Sequence, residues 1–420
     1  MYCVRNVTDD IYWIGANDHR THLFENIHPI PQGVSYNCYV LLDEKTAMFD
    51  TIEWGQGRQM MSNLEHVLDG RDLDYLVVNH LEPDHAASTG LILSRYPNVK
   101  VISSEKCFML MHQFGFDVDA HEQIQVKEGD TFSFGKHTVT FVEAPMVHWP
   151  EVMVTFDLTE GVLFSADAFG GFIANDGKLW STDVDWKANN LDEIRRYHCN
   201  IVGKYGPHVQ LLLGKAATIL DKIKIVCPLH GLIYHADDDL MTYIDKLNHW
   251  SSYTPEEKGV LIAYASMYGN TESAAQALAS AICEKGFTNV KVCDISETHV
   301  SYLIADVFKY SHLVLASPTY NLNIYPVMEN FLNEMRMLNM QNRHVAIIEN
   351  GSWAITSGDL MQEFLEDEMK DMTVMNERIS IASSLSGDKK RDVDDMAQAI
   401  IDSMEEVTCD PAKRFEKKQH

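Results

Sequence analysis

No C-x-x-C pair occurs in the 420 residues, although eight cysteines are present: Cys3, Cys38, Cys107, Cys199, Cys227, Cys283, Cys293 and Cys409. That absence excludes zinc ribbons, rubredoxin-type iron sites and thioredoxin-like motifs from this chain. Scattered thiols in a long chain without a secretory leader are expected to be reduced core residues, not a disulfide framework. Basic residues are also scarce. Thirty-four Lys and Arg stand against 61 Asp and Glu, a formal net charge of −27, and so acidic a surface repels phosphate backbones. No nucleic-acid partner is expected. No apolar run approaches membrane-spanning length, and MYCVRNVTDDIYWIG is not a charged-then-apolar leader, so no membrane partner and a cytoplasmic location are expected. What is present in quantity is core material. With 45% hydrophobic and 10% aromatic residues, disorder is excluded, and the length points to two domains.

The two halves have different rhythms. Up to about Tyr253, IYWIG, YNCYVLL, TAMFDT, LDYLVVNH, NVKVISS, HTVTFVEAP, EVMVTFDL and GVLFSAD read as short strands, rich in β-branched and aromatic residues. Between them, RQMMSNLEHVLDG and KCFMLMHQFG have helical spacing. The combination predicts an α+β sandwich, two sheets covered by helices. SSYTPEEK, from Ser251 to Lys258, is polar, carries a proline and lacks periodicity; it reads as a linker and sets domains of 1–253 and 254–410. Beyond it, five strand-like runs (GVLIAYAS, VKVCDI, HLVLASP, RHVAIIENG, ISIASS) alternate with helical segments, which predicts an α/β domain with a doubly wound parallel sheet. KRFEKKQH reads as a solvated tail.

Chemistry concentrates first in His80-Leu81-Glu82-Pro83-Asp84-His85, directly after the apolar run YLVV. Any one of these residues alone would be read as part of a polar turn. Three further segments share the design, however: VTFVEAPMV runs into His148, GVLFSA into Asp167, and KIVCPL into His230. Strand ends in a sandwich cluster along one edge. Four histidines and three carboxylates exceed one tetrahedral site and suit two metals with a bridging carboxylate, for which Asp167 is the natural candidate. A set without thiolate and rich in carboxylate favours iron or manganese, with zinc still open. His66, His112, His137, His198 and His249 fall within ordinary helix or strand patterns and are expected at the surface or satisfied in the core. His22 and His28, in the loop before YNCYV, are left as either loop residues or pocket residues. Asp50 is either a turn former or an orienter of a ligand, and Trp149 either a core residue or a pocket wall.

The cluster resembles the metallo-β-lactamase fold, whose usual motif is H-x-H-x-D-H, with Glu82 in place of the second histidine. The H-x-E-x-D-H form resembles that of the flavodiiron proteins. Exchanging a neutral imidazole for an anionic oxygen stabilises higher-valent metal and suits redox chemistry better than hydrolysis. The resemblance implies one iron on His80, Glu82 and His148, a second on Asp84, His85 and His230, and Asp167 between them.

In the second half, GVLIAYAS leads into Ser266-Met267-Tyr268-Gly269-Asn270-Thr271 and a helix begins at once. Backbone N–H groups at a helix start, with the hydroxyls of Ser266 and Thr271, make a phosphate cradle without a cation, although a capped helix would look the same. Two more strand ends join it, Ser317-Pro318-Thr319-Tyr320-Asn321 and Asn350-Gly351-Ser352-Trp353. In a doubly wound sheet such ends share one edge. The three loops resemble those of flavodoxin, which holds FMN between them, with Tyr268 where many flavodoxins have threonine and Trp353 as the candidate to pack on the isoalloxazine ring. No G-x-G-x-x-G with a downstream ribose-binding acid appears, so direct dinucleotide binding is not expected.

The resemblance therefore implies a metallo-β-lactamase-like αββα sandwich followed by a flavodoxin-like five-stranded domain, as in A-type flavodiiron proteins. It further implies reduction of O2 to water, of NO to N2O, or both, with electrons from an external donor passing through FMN to a di-iron centre. A small redox protein such as rubredoxin, a reductase and a reduced deazaflavin are all admissible donors. A head-to-tail homodimer, or a dimer of dimers, is implied as well. The alternatives are a binuclear zinc hydrolase fused to a flavodoxin-like module, and a flavin electron carrier with a degenerate front domain.

Overall fold

In the run TVTFVE, Val139 and Phe141 are buried while Thr138 and Thr140 are half-exposed, the period-two pattern of a strand with one face on a core. The same logic recurs through the first half of the computed structural model, which describes residues 1–414. Chain contacts divide it into two units, Met1–His198 with Pro207–Asp245, and Cys199–Gly206 with Lys246 onward.

The first unit holds two large sheets. One runs β1 (Arg5–Asn6), β2 (Ile11–Trp13), β3 (Tyr39–Leu42), β4 (Thr46–Phe49), β5 (Tyr75–Val77), β6 (Lys100–Ser103) and β7 (Gln123–Gln125), in that spatial order. The other runs β8 (Thr131–Ser133), β9 (Thr138–Glu143), β10 (Met153–Asp157), β11 (Val162–Phe164), β12 (Ile225–Cys227) and β13 (Tyr234–His235). Their inner faces meet in one core, where Phe49 of the first sheet stacks on Phe164 of the second at 3.9 Å between centroids. β4 and β5 pair in parallel with Phe49 opposite Val77, and β11 and β12 in parallel with Phe164 opposite Cys227. Parallel pairing brings C-terminal ends to one edge, so the chain leaving β5 toward His80 emerges beside Asp50, and that leaving β12 toward His230 beside Asp167. The turns at this edge are tight: Asp50, Met146 and Ala166 hold φ of 56°, 64° and 49°. Non-glycine residues in that left-handed region cost about 1–3 kcal/mol each and collect at functional sites. A short hairpin, Leu23–Phe24 with His28–Pro29, turns through Glu25 and Asn26, both left-handed.

The second unit is a parallel five-stranded sheet of β14 (Glu257–Tyr264), β15 (Val290–Asp294), β16 (Tyr310–Tyr320), β17 (Gln341–Gly351) and β18 (Lys370–Ala382), ordered β15-β14-β16-β17-β18. The order reverses between β14 and β16, the switch point at which a doubly wound sheet opens a crevice. Helices Asn270–Glu284 and Lys390–Ser403 cover one face through Ala274, Leu278, Ile282, Met396 and Ile400. The helix Val300–Lys309 has no counterpart among the segments read from the sequence.

Two segments differ from expectation. The SSYTP stretch is polar but buried, with Ser251, Ser252, Tyr253 and Thr254 all nearly inaccessible. The reason is Arg343, a buried guanidinium that donates to the carbonyls of Tyr253 (2.9 Å), Asn342 (2.8 Å) and Phe308 (2.9 Å) and fixes the segment on the second unit. The tail KRFEKKQH is not wholly solvated either. Arg414 is buried and donates to Gln341 Oε1 at 2.6 Å, while residues 415–420 lie outside the described residues. No helix of the described residues is long and apolar enough to cross a membrane.

Candidate metal centre and flavin groove

All seven side chains named from the sequence meet at the sandwich edge, in two groups. His80, Glu82, His148 and Asp167 form one; Asp84, His85 and His230 form the other. In the first, His80 Nε2 lies 3.3 Å from Glu82 Oε2 and 3.2 Å from Asp167 Oδ2, and His148 Nε2 lies 2.9 and 3.2 Å from the same two oxygens. In the second, Asp84 Oδ2 stands 3.2 Å from His85 Nε2 and 3.0 Å from His230 Nε2. Asp167 turns its other oxygen, Oδ1, to this group, 3.1 Å from His85 and 3.9 Å from His230. One carboxylate thus offers one oxygen to each group.

The spacings fit metal ligation. Two donors about 2.1 Å from a common ion and about 90–110° apart sit ~3.0–3.4 Å from one another. The outer nitrogens reinforce this. His230 Nδ1 lies 2.7 Å from the Ser35 carbonyl, which only accepts, so Nδ1 carries a proton and Nε2 is the nitrogen turned to Asp84. A ring nitrogen and a carboxylate oxygen 3.0 Å apart need a positive charge between them, a proton on Nε2 or a metal ion. Asp84 Oδ2, both oxygens of Asp167, and Nε2 of His85, His148 and His230 are buried without a hydrogen-bond partner. The titration behaviour agrees. Burial opposes charging His85, but Asp84 and Asp167 outweigh it and hold its pKa up to about 10. His148 is likewise held at about 9 despite burial, by the carboxylates of Asp167 and Glu82 beside its Nε2. Burial would raise Glu82, yet His148 and His80 bring it down to about 2. The pocket calls for positive charge at its centre.

Asp50 does not orient an imidazole. Its Oδ1 accepts the N–H of Asn79 (2.7 Å) and of His80 (3.2 Å), so it fixes the backbone of the ligand loop. Trp149 stands edge-on to His80, 5.6 Å between centroids, as a partial wall. His22 is exposed and His28 packs beside Phe172. Neither belongs to the groups; the loop instead sends Thr21, Leu23, Phe24 and Glu25 over a cleft of ≈ 360 Å³ that Glu82 and Asp84 floor. Partial desolvation and the neighbouring Glu82 raise the carboxyl of Glu25, whose side chain is 35% exposed, to about 8. Of the histidines expected at the surface or in the core, His66 stacks on Tyr2, His112 pairs with Asp119, and His249 bonds the Cys409 carbonyl. Glu25 and Glu151, whose Oε1 lies 2.9 Å from His80 Nδ1, were not legible in the sequence; a lone glutamate in a loop carries no spacing pattern.

In the second unit, the ends of β14, β16 and β17 line one groove with Ser266, Met267, Tyr268, Asn270, Thr271, Pro318, Thr319, Asn321, Asn350, Gly351, Ser352 and Trp353. Leu322, Ala354 and Ser383 complete the lining, which contains no charged side chain. Gly269, Ser317 and Tyr320 stand behind or beside it. Gly269 makes the turn into helix Asn270–Glu284 at φ 86°, donating its N–H to Ser266 Oγ at 3.0 Å. Ser317 is buried and bonds the Pro318 carbonyl, and Tyr320 packs edge-on against Tyr325. Thr319 spends its hydroxyl on the N–H groups of Thr356 and Ser357 at 3.0 and 3.2 Å. Asn350 Nδ2 ties two loops together by donating to Thr271 Oγ1 at 3.3 Å and to the Ser383 carbonyl at 3.1 Å. The helix start has no side-chain cap, which leaves its N–H groups for an anion. Trp353 is 91% exposed and Tyr268 90%, so neither is a core aromatic, and both are available to a planar ring.

A β-lactamase-type sandwich with a two-metal cluster, joined to a flavodoxin-type sheet with a neutral anion-binding groove, defines a two-cofactor redox class. Comparison with known proteins agrees. Residues 34–231 match the ODP family beta lactamase and residues 262–400 match flavodoxin, a match that implies FMN. The chain is 31% identical to the nitric oxide reductase of Moorella thermoacetica, across 87% of this chain and 89% of that one. It superposes on the rubredoxin oxygen:oxidoreductase of Desulfovibrio gigas with a TM-score of 0.88 at 28% identity, covering 96% of this chain and 98% of that one. The flavodiiron protein of Giardia intestinalis shares the fold, with a TM-score of 0.88 at 22% identity and the same coverage. The chain belongs to the flavodiiron protein family.

Proposed function

We propose that this protein is an oxidoreductase that reduces O2 to water, NO to N2O, or both, drawing electrons from an external donor. When bound, FMN supplies electron entry and a di-iron centre supplies the site where the diatomic gas is reduced. His80, Glu82 and His148 hold one iron, Asp84, His85 and His230 the other, and Asp167 spans them. Ser266, Met267, Tyr268, Asn270, Thr271, Pro318, Thr319, Asn321, Asn350, Gly351, Ser352 and Trp353 hold FMN, with Gly269, Ser317 and Tyr320 shaping its loops. The di-iron domain is residues 1–253 and the FMN domain 254–410.

The observation that carries this reading is the split carboxylate, Asp167 Oδ2 on one group and Oδ1 on the other. Glu82 adds a second anion where the hydrolase motif has an imidazole, which favours the reductase over the zinc hydrolase; the kinship to a nitric oxide reductase and to a rubredoxin oxygen:oxidoreductase favours it too. The intact cluster weighs against a mere electron carrier. The relatives' names make a rubredoxin-type protein the first donor to test, with a reductase or reduced deazaflavin next. We assign the protein to the cytoplasm and to a head-to-tail homodimer, or a dimer of dimers, in which one subunit's FMN serves the other's irons.

The test is anaerobic turnover with each gas, using chemically reduced donor and protein of known metal content. Two irons per chain with consumption of either gas is expected; two zincs with hydrolytic turnover would overturn the reading. For the dimer, a metal-dead subunit (His80→Ala with Asp167→Ala) is co-expressed with a flavin-dead one (Gly269→Trp with Thr271→Trp). Activity should return in the mixed dimer, and mixed dimers that stay inactive with each cofactor bound in its intact domain would exclude head-to-tail pairing.

A further inference from the structure

The two halves of the metal cluster are backed by different charges. Behind His80 stands Glu151, whose Oε1 accepts from His80 Nδ1 at 2.9 Å and from the Leu81 N–H at 2.9 Å. Its side chain is 0% exposed, and its second oxygen, Oε2, has no hydrogen-bond partner. Behind His230 stands only the neutral carbonyl of Ser35, at 2.7 Å, and the imidazole is ringed by Phe24, Tyr36 and Tyr197 at 5.3, 5.7 and 5.4 Å between centroids. His85 Nδ1 has no hydrogen-bond partner among the described residues. Among carboxylates that face a ligating imidazole directly, Glu82 and Glu151 therefore belong to the His80 half and Asp84 to the His230 half, while Asp167 contributes one oxygen to each; the buried Asp50 acts on His85 only through space, its hydrogen bonds going to Asn79 and the His80 N–H.

A carboxylate behind a ligating imidazole fixes Nδ1 as the protonated nitrogen, orients the ring and makes Nε2 a stronger donor. The carboxylate also adds a buried negative charge where little solvent screens it. We propose that Glu151 is a positioning residue that makes the two metal positions unequal, so that the His80–Glu82–His148 position binds its ion first and more tightly and favours the higher-valent ion. The inference rests on the two-metal reading of the site. It adds which position is the stronger, and it names the residue responsible.

The two readings separate in one experiment, titration of the metal-stripped full-length protein with Co(II), followed by visible absorption and chelator competition. Two binding steps are expected for the unaltered chain. Glu151→Gln keeps an oxygen that can accept both N–H groups and removes only the charge. It should weaken the tighter step about 10–100-fold and leave the other within about threefold, drawing the two steps together. Glu151→Asp keeps the charge and should preserve their separation; because it retains the carboxylate, it also carries the test if Glu151→Gln does not fold. Two metals bound with both steps unchanged in Glu151→Gln, or both weakened equally, would overturn the inference while leaving the two-metal site standing. Loss of the separation in Glu151→Asp would also overturn it, by showing that geometry and not charge sets the difference. An unaltered chain that takes up fewer than two ions would overturn the two-metal reading and this inference together. With iron loaded, the two one-electron reduction steps should likewise lie closer together in Glu151→Gln, a change that a purely structural role would not produce.

Discussion

The metal centre draws seven ionisable side chains into the protein, and three of its imidazoles, His80, His85 and His230, have no exposure at all. The flavin groove is lined without a charged side chain and leaves Tyr268 and Trp353 almost fully in solvent. Both sites sit at strand ends, so topology alone does not distinguish them; the ligand's charge does. A divalent or trivalent ion repays the burial of anions only when they converge, and a buried anion without its cation is expensive. A phosphate instead needs donors that carry no counter-charge, and N–H groups at a helix start with a threonine hydroxyl supply them. The metal centre is therefore made of side chains carried in from four strand ends, and the flavin groove largely of loop backbone.

Removing the shared carboxylate should break this comparison most severely. Asp167→Ala takes away an oxygen from each group at once. Iron content is expected to fall from two per chain to below one, with gas reduction down more than about 100-fold, while FMN content stays near one. Metal analysis and flavin absorbance on the same sample check both halves. Loss of FMN along with iron would show that the two sites are not the independent constructions described above.

That independence explains how much was legible beforehand. The metal ligands announce themselves because each ends an apolar run, and because four chemically apt residues in six positions, His80 to His85, are improbable as an ordinary turn. The strand ends of the second half are visible for the same reason. Residues that act on a ligand from behind are not. Glu151 and the Ser35 carbonyl touch His80 and His230 across sequence separations of 71 and 195 residues, and a single glutamate or a backbone carbonyl leaves no periodic trace. The SSYTP stretch misleads for a related reason. Its polarity suggests a linker, but Arg343, 90 residues on from Tyr253, gives the Tyr253 carbonyl a buried partner. Composition reports what a segment offers, not what the rest of the chain brings to it.

A sharper form of the comparison lies within the first unit. His137 is also a buried imidazole between carboxylates, with Nδ1 3.1 Å from Asp157 and Nε2 3.2 Å from Asp10, and Asp10, His137 and Glu160 group closely enough to resemble a metal site. Here the cation is built in. Lys136 Nζ lies 2.6 Å from Asp10 and 3.3 Å from Glu160. Burial alone would lower the His137 pKa, but the hydrogen bonds to Asp157 and Asp10 raise it to about 8 from 6.5. Since the folded value exceeds the unfolded one, the stabilisation is complete below about pH 6.5 and is lost as pH rises through 8. The shift corresponds to about 2 kcal/mol. Chemical denaturation of the unaltered chain and of His137→Gln should therefore show a stability difference that shrinks by about that amount between pH 6 and pH 9. A difference independent of pH would mean that the ring is held neutral, and uptake of a third metal ion would mean that Lys136 does not fill the site.

The smallest effect is expected where the flavin groove needs a backbone shape and nothing else. Gly269 holds φ 86° at the start of helix Asn270–Glu284, yet a Cβ built there meets no atom within 4 Å. Gly269→Ala should accordingly cost only the left-handed backbone, about 1 kcal/mol, seen as a small drop in the flavodoxin-like unit's unfolding midpoint. FMN affinity should fall by up to about fivefold, the limit reached when the unliganded turn relaxes out of the left-handed region and binding has to restore it. Gly351 supplies the contrast, because a Cβ there would lie 1.8 Å from the Ala354 carbonyl oxygen and force the Trp353 loop to move. If the phosphate cradle is backbone at the Gly269 turn, the alanine leaves the N–H groups of Asn270 and Thr271 in place and the deficit stays within about fivefold. A loss of more than about 100-fold at Gly269→Ala, measured by flavin fluorescence, would show that the ligand comes closer to that α-carbon than the open space around it implies.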